Sequence, residues 1–500
     1  MCLARINYKL TLVWLLLSLS ILTLSYEDVR GMLSHDSAFY LRLAENIING
    51  HGYFEGDILG GTEGAYFTAW PVGYPTIIAG IAYIVSVDVF LASKISNILL
   101  LGLAFYFLHK LFTETAYLYG SVFLTAPLLH FTAMTLAEGP FMAGMIILTI
   151  SLYYYYTSEK TIWLISTLIS SIFLFLLRYV GLFSLLPIAG LAIYYLWLKK
   201  SDAFVKLLGV GSLSLVFCGL YLYKINALTG YLTGQPRVFS DTRPELFAAL
   251  IVGQAKELNL ISYDVGYSGS LVRTVYVLTL IISLLVISYM ILGRVDYRKA
   301  HTQNTSNVLF IFFFLTGVCY LISIVGSVVM RKVPSAELLS GRLLVPATPL
   351  FVIGLLSYLQ FNRGQGSRLT KYWLPIPVSS FLLNVVLFPF YSTFVVGQKT
   401  YVDHVAMIQE KYKVIHRGNV LIGNNDYARF LRPDIHYIRL YQVNLLDEII
   451  RKQCSRGVRE IYIDIGADLH ILSYDYTLVE NFERYGSTNA LLAKIKACDK

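Results

Sequence analysis

A helix must carry roughly 20 consecutive, mostly apolar residues to cross the hydrocarbon core of a bilayer. This sequence returns to that pattern repeatedly. Apolar runs fall at about 9–26, 71–88, 91–109, 116–135, 139–157, 161–177, 180–198, 204–224, 271–293, 307–329, 343–360 and 373–394. Within lipid every backbone N–H and C=O must be bonded inside the protein, so such runs fold as helices. Charge is correspondingly scarce: 14% of the 500 residues are Asp, Glu, Lys or Arg, against about 25% in soluble domains. The mean hydropathy is +0.61. The expected fold is a polytopic α-helical membrane protein, followed over 395–500 by a smaller polar domain.

The basic residues give an orientation. The formal charge is +9, which in a soluble chain points to nucleic acid. Here the Lys and Arg residues sit mostly in short loops between apolar runs, with no basic stretch interleaved with aromatics. Topology and phosphate contact are the simpler reading, with no nucleic acid partner. Arg5 and Lys9 precede the first run, which reads as an uncleaved signal anchor with the N-terminus inside. Lys110, Lys160, Lys199, Lys200, Lys206, Arg294, Arg298, Lys299, Arg363, Arg368 and Lys371 then fall inside only if 71–88 fails to cross. Pro71, Gly73, Pro75 and Gly80 favour a short or re-entrant helix there. The count becomes about eleven spans. Segment 27–90 is a first extracytoplasmic loop with juxtamembrane helices, 225–270 and 330–342 are also outside, and 395–500 is an extracytoplasmic domain.

That last domain reads as mixed α/β. Asn419–Gly423 (NVLIG) and Glu460–Ile465 (EIYIDI) look like buried strands, with an amphipathic helix over Leu445–Cys454 between them. Cys454 and Cys498 either pair as a disulfide in an oxidising compartment or remain buried thiols. No cysteine spacing resembles a zinc site.

Several residues at outer helix ends could carry chemistry. Asp36 stands near the start of a helix running from His35 to about Asn49. Capping alone would explain it. The alternative is a catalytic carboxylate, with Tyr40 one turn along on the same face and His35 as a phosphate donor. Trp70-Pro71-Val72-Gly73-Tyr74-Pro75 marks an interfacial helix entry. Glu138 lies between two apolar runs; facing water it costs little, facing the bundle interior it is expensive and marks function. Arg178 interrupts an apolar stretch from 161 to 198. It either snorkels or holds a phosphate with its planar fork. Arg331, Lys332 and Arg342 cluster at another outer helix entry, suited to an anionic headgroup or to bulk anionic lipid. A carboxylate to deprotonate an acceptor hydroxyl, and guanidinium groups to stabilise a departing phosphate, fit one chemistry. No G-x-x-x-x-G-K-[ST] loop occurs, which disfavours an ATP-driven pump.

These pieces resemble the GT-C superfamily of membrane glycosyltransferases, in particular protein O-mannosyltransferases and lipid A aminoarabinose transferases. The matching segments are HDSAFYLRLAENIINGHGYF, WPVGYP, TLAEGPF, LLRYVGLFSLLP and GRLLVPATP, in family order over roughly 35–350. The resemblance implies a GT-C fold and transfer of a monosaccharide, with inversion, from a polyprenyl- or dolichyl-phosphate donor to a protein, lipid or glycan acceptor at the extracytoplasmic face. It implies Asp36 as catalytic base or acceptor-orienting group and Glu138 as a second catalytic carboxylate. Arg178 and Arg342 would contact the carrier phosphate, with His35, Tyr40, Glu63, Tyr74, Arg331 and Lys332 also lining the substrate site. Two departures stand out: Asp36-Ser37 replaces an Asp-Glu pair common among relatives, and Arg342-Leu343 replaces Arg-Tyr. Segment 395–500 resembles nothing familiar; acceptor selection is one role for it.

A flippase for lipid-linked sugars is the rival reading, but most spans lack the internal charges such a pathway needs, and no inverted repeat is visible. A non-catalytic scaffold leaves the outer charges unexplained. The sequence makes no cofactor certain. A divalent metal shared among Asp36, Asp57, Glu63 and Glu138 stays open.

Overall fold

The computed structural model describes residues 7–55, 65–233, 259–262, 278–279, 281–283, 304–329, 341–363, 372–390, 399–416, 419–423, 428–432, 434–439, 446–455, 460–464, 476–482 and 490–495. It forms two compact units. The first gathers Met1–Glu27, Thr68–Tyr74 and Lys94–Gln398; the second gathers Asp28–Phe67, Pro75–Ser93 and Lys399–Lys500.

The first unit is helical. Six stretches among the described residues are long and apolar enough to cross a membrane: Tyr8–Glu27, Val89–Leu124, Tyr179–Trp197, Ser201–Thr229, Val308–Ser327 and Arg342–Gln360. A seventh is Ala126–Ala133 with Glu138–Ser158, if that pair, bent by 116°, is one span. The chain is an integral membrane protein. The expectation of about eleven spans is not reproduced one for one. The run at 116–135 does not form a helix of its own. It divides into Ala116–Gly120, a 3-10 turn at Ser121–Leu124 and the helix Ala126–Ala133. The break is at Thr125, whose extended backbone (φ −77°, ψ 150°) restarts the helix ahead of Pro127. The run at 271–293 lies mostly outside the described residues. Pro375–Phe381, π-helical Leu382–Leu387 and Phe388–Phe390 occupy the 373–394 run.

Burial separates the helices of this unit. In Glu138–Ser158 every side chain from Glu138 to Tyr153 is buried, so this helix is the unit's core. Ser201–Thr229 instead leaves Val205, Leu208, Leu213, Val216 and Leu220 more than half exposed. Apolar side chains exposed along a helix of this length face lipid rather than water.

The 71–88 run yields the helix Gly73–Val85, which from Pro75 on belongs to the second unit. Its 13 residues span about 20 Å at 1.5 Å per residue, short of the roughly 30 Å hydrocarbon core. Strands β1 (Phe54–Glu55) and β2 (Ala65–Tyr66) pair antiparallel. The C-terminal part holds β3 (Val420–Gly423), β4 (His436–Arg439), β5 (Ile461–Asp464), β6 (Tyr476–Phe482) and β7 (Ala490–Ile495) in the order β4-β3-β5-β7-β6. The first three are parallel, joined through helices Ala428–Leu431 and Leu446–Ser455. Parallel strands need such crossovers and bury both faces, and β3 and β5 are buried throughout. Ile408, Tyr412, Leu421, Ala428, Tyr437 and Tyr462 pack into its core. Phe90 stacks on Tyr401 at 4.1 Å, tying the 75–93 segment to this part. Cys454 is disulfide-bonded; Cys218 and Cys319 are free, and Cys2 and Cys498 lie outside the described residues.

Candidate functional site

Arg178 owes its position to a helix end. Thr161–Leu177 stops because Arg178 is extended (φ −152°, ψ 138°), and a 3-10 turn, Tyr179–Ser184, follows. The Gly181 N–H donates to the Arg178 carbonyl at 2.7 Å. A Cβ on Gly181 would lie 2.3 Å from the Leu174 carbonyl, so only glycine lets this turn fold back on the helix. Gly73 meets the same helix: a Cβ there would lie 2.5 Å from the Leu176 oxygen. The two motifs WPVGYP and RYVG therefore converge on one helix terminus. Tyr179 OH donates to the Thr68 carbonyl at 3.1 Å, and the Val72 N–H to Tyr221 OH at 3.2 Å, holding the segment in place.

Glu138 opens the buried helix after the 116° bend, and its side chain is 1% exposed. It faces the bundle interior, the costly alternative for a carboxylate in a membrane. Its Oε1 accepts from Nη1 of Arg178 and from Nε of Arg342 at 2.7 Å. Arg178 is itself buried and does not snorkel. Arg342 stands in the short helix Gly341–Leu344, which Tyr320 anchors by donating to the Leu343 carbonyl at 2.7 Å. The Tyr320 ring packs against Phe141 and Phe183 at 5.6 and 5.5 Å. Two guanidinium groups thus converge on one oxygen of one carboxylate inside an aromatic wall. Each guanidinium presents its N–H donors in a planar fork. A tetrahedral anion matches that fork geometry.

Tyr74 is fully buried in this unit and donates to Asn97 Oδ1 at 3.2 Å. Asn97 and its neighbour Lys94, both fully buried, were not singled out from the sequence. The available signal was one Lys inside an apolar run.

In the second unit, His35, Asp36 and Tyr40 lie on the helix His35–Ile48. Capping does not account for Asp36. The N-cap is Ser34, whose Oγ accepts from the Ser37 N–H while Ser37 Oγ accepts from the Ser34 N–H at 2.9 Å. Asp36, 9% exposed, sits one position before Ser37, and Tyr40 is buried beside it in sequence register. The His35 ring meets Phe39 edge-on at 4.8 Å. Glu45 on the same helix has its carboxyl raised above the ordinary range by burial. Glu63, Arg331 and Lys332, like Asp57, lie outside the described residues. Among the described residues no group of three or more His, Cys, Asp or Glu side chains is placed to hold a metal ion.

The fold is the GT-C membrane fold. The chain is similar to ArnT from Cupriavidus metallidurans bound to undecaprenyl phosphate, with a TM-score of 0.56 and 10% identity over 98% of both chains. It is similar to the apo state of that enzyme, at a TM-score of 0.50 and 11% identity over 97% of both chains. The oligosaccharyltransferase of Archaeoglobus fulgidus in complex with Zn and sulfate matches at a TM-score of 0.51 and 10% identity, covering 91% of this chain and 68% of that one. No family model and no curated protein matches at the level of sequence.

Proposed function

We propose that this protein is a membrane glycosyltransferase that moves a monosaccharide from a polyprenyl- or dolichyl-phosphate carrier to an acceptor at the extracytoplasmic face. The observation that carries the reading is the convergence of Arg178 and Arg342 on the buried Glu138. Two guanidinium groups fixed side by side within a membrane bundle suit a lipid-borne phosphate. The neighbour of shared fold bound to undecaprenyl phosphate supports this ligand class.

In the reaction, an acceptor oxygen attacks the anomeric carbon and forms the new glycosidic bond as the bond from that carbon to the phosphate oxygen breaks. The electron pair leaves with the carrier phosphate, where Arg178 and Arg342 stabilise the growing charge. The acceptor proton passes to Asp36 as general base. Glu138 aligns the two arginines. His35, Tyr40 and Tyr74, with Glu63, Arg331 and Lys332, are proposed to complete the substrate site, and the acceptor is a protein, lipid or glycan. Residues 1–394 form the transferase domain in this reading, with 395–500 extracytoplasmic. The disulfide at Cys454 favours that side, because disulfides persist in oxidising compartments.

The test is sugar transfer in reconstituted liposomes. A panel of radiolabelled polyprenyl-phosphate sugars is offered to wild type and to Asp36→Asn. Wild type should release free lipid phosphate and the variant should not, at equal expression. Lipid movement across the bilayer without turnover of any donor would replace this reading with a flippase.

A further inference from the structure

The bend before Glu138 poses a problem of unpaired backbone. A helix that ends inside a membrane bundle leaves its last carbonyls without partners, and there is no water to take them. Helix Ala126–Ala133 ends in this way, with Met134 extended (φ −67°, ψ 147°). Three successive carbonyls of that end are met by side chains from other helices. Asn97 Nδ2 donates to the Thr132 oxygen at 2.8 Å and to the Met134 oxygen at 3.0 Å. Lys94 Nζ donates to the Ala133 oxygen at 2.7 Å, which also accepts from Ser25 Oγ at 3.1 Å.

Lys94 and Asn97 are three residues apart on one helix, so they share a face. Both are fully buried. Lys94 also places a cation at a helix C-terminus, where the dipole favours it. The Asn97 amide has a fixed sense, because its Oδ1 accepts from Tyr74 OH at 3.2 Å while its Nδ2 serves the carbonyls. On the far side of the bend, Gly139 lies directly over that amide: a Cβ there would be 3.5 Å from Asn97 Cγ. A continuous line of contacts therefore runs from Tyr74 through Asn97 to the bend, and from the bend to Glu138 and its two arginines. A buried ammonium is expensive in this setting.

We infer that Lys94 and Asn97 are positioning residues for the Glu138 cluster: they hold the bent backbone that aims Glu138 at Arg178 and Arg342. They act through the backbone carbonyls of the bend. This rests on the proposed binding of a carrier phosphate by those arginines.

The experiment measures donor KM, acceptor KM and kcat in liposomes, together with undecaprenyl phosphate binding to the detergent-solubilised full chain. Variants are Asn97→Leu, Lys94→Met, the conservative Lys94→Arg and the mild Tyr74→Phe. Asn97→Leu and Lys94→Met should weaken undecaprenyl phosphate binding and raise donor KM at least tenfold with acceptor KM unchanged. Lys94→Arg should recover most of the loss, and Tyr74→Phe should show a smaller shift of the same sign. Combined with Arg342→Ala, Asn97→Leu should cost much less than the product of the single effects. Folded variants with unchanged donor KM and phosphate binding, or effects that multiply with Arg342→Ala, would overturn the inference. If wild type binds no undecaprenyl phosphate, the parent reading fails instead. A double-mutant cycle in unfolding between Asn97→Leu and Glu138→Gln then decides: coupling of tenfold or more in the unfolding constant supports the positioning role, and independence of the two removes it.

Discussion

Two buried ionic clusters stand among the described residues, and they are built differently. In the first unit one carboxylate, Glu138, meets two guanidinium groups. In the second unit one carboxylate, Asp464, meets one ammonium: Lys411 Nζ lies 2.8 Å from its Oδ2, and Tyr412 OH donates to the same oxygen. The second cluster is matched in charge and closed by its hydroxyl. It sits at the end of β5 beside the core residue Tyr412 and needs nothing further. The first brings two guanidinium groups to one carboxylate oxygen and gathers residues from three separate helix ends. A cluster that closes on a strand end is read as architecture, and one that joins three helix ends within the bundle is read, on the proposed function, as the carrier-phosphate site. Burial alone separates neither, since Asp464 and Glu138 are both almost inaccessible.

That distinction can be broken by experiment. The largest effect should come from Arg178→Ala, which removes a donor from the departing phosphate. Transfer should fall about 10²–10³-fold in the liposome assay while the protein still inserts and elutes as wild type. Next is Lys411→Met, which strands the Asp464 charge. The second unit should lose about 3–5 kcal/mol, read by chemical unfolding. Replacing the matched pair together, Lys411→Met with Asp464→Leu, should restore most of that stability, whereas Arg178→Met with Glu138→Leu should restore no transfer. Recovery of transfer in the latter would place the two clusters in one class.

Ligand response sharpens the contrast further. Undecaprenyl phosphate at a hundred times its Kd should stabilise wild type by about 2.7 kcal/mol, and Arg342→Ala by much less, as thermal shifts would show. Lys411→Met should leave the shift intact.

The smallest effect concerns an exposed pair in the second unit. The Lys494 ammonium beside Glu460 holds its carboxyl below the ordinary value of 4.5, aided by Tyr462 OH. Because the folded value is depressed, the pair contributes stability above that ordinary value and loses it as pH falls below 4.5. Glu460→Gln should flatten this acid limb, by less than about 1 kcal/mol for so accessible a pair. Tyr462, pushed up to about 12 mainly by burial, stays protonated throughout that range.

What could be read in advance follows from where charge interrupts pattern. Arg178 interrupts an apolar stretch, Glu138 lies between two such runs and Arg342 stands at the entry of another, so their types and positions were visible without a structure. Their mutual contact was not, because it joins residues 40 and 204 positions apart. Lys94 was passed over because a single Lys leaves a run of ordinary span length intact. Asp36 looked like a cap because Asp commonly is one; a Ser34–Ser37 box does the same work with two small side chains. The division of 116–135 depended on Thr125, whose extended backbone has no compositional mark. Strands β3 and β5 were legible as short, mostly apolar segments, β5 ending on Asp464. β4, His436–Arg439, begins and ends on a polar residue, and its strand pairing comes from β3.

The helix Glu138–Ser158 has protein on every side from Glu138 to Tyr153, and this bears on how the molecule is made. A segment with a lipid-facing side can rest in the bilayer alone while later parts are synthesised. This one would there expose an acidic end and the small or polar residues Gly139, Gly144, Thr149 and Ser151 to hydrocarbon. Arg178 follows it by 40 residues and Arg342 by 204. During synthesis, Glu138 must therefore wait for one partner briefly and for the other until most of the chain has left the ribosome. The Glu138 cluster can be completed only once Arg342 has been made.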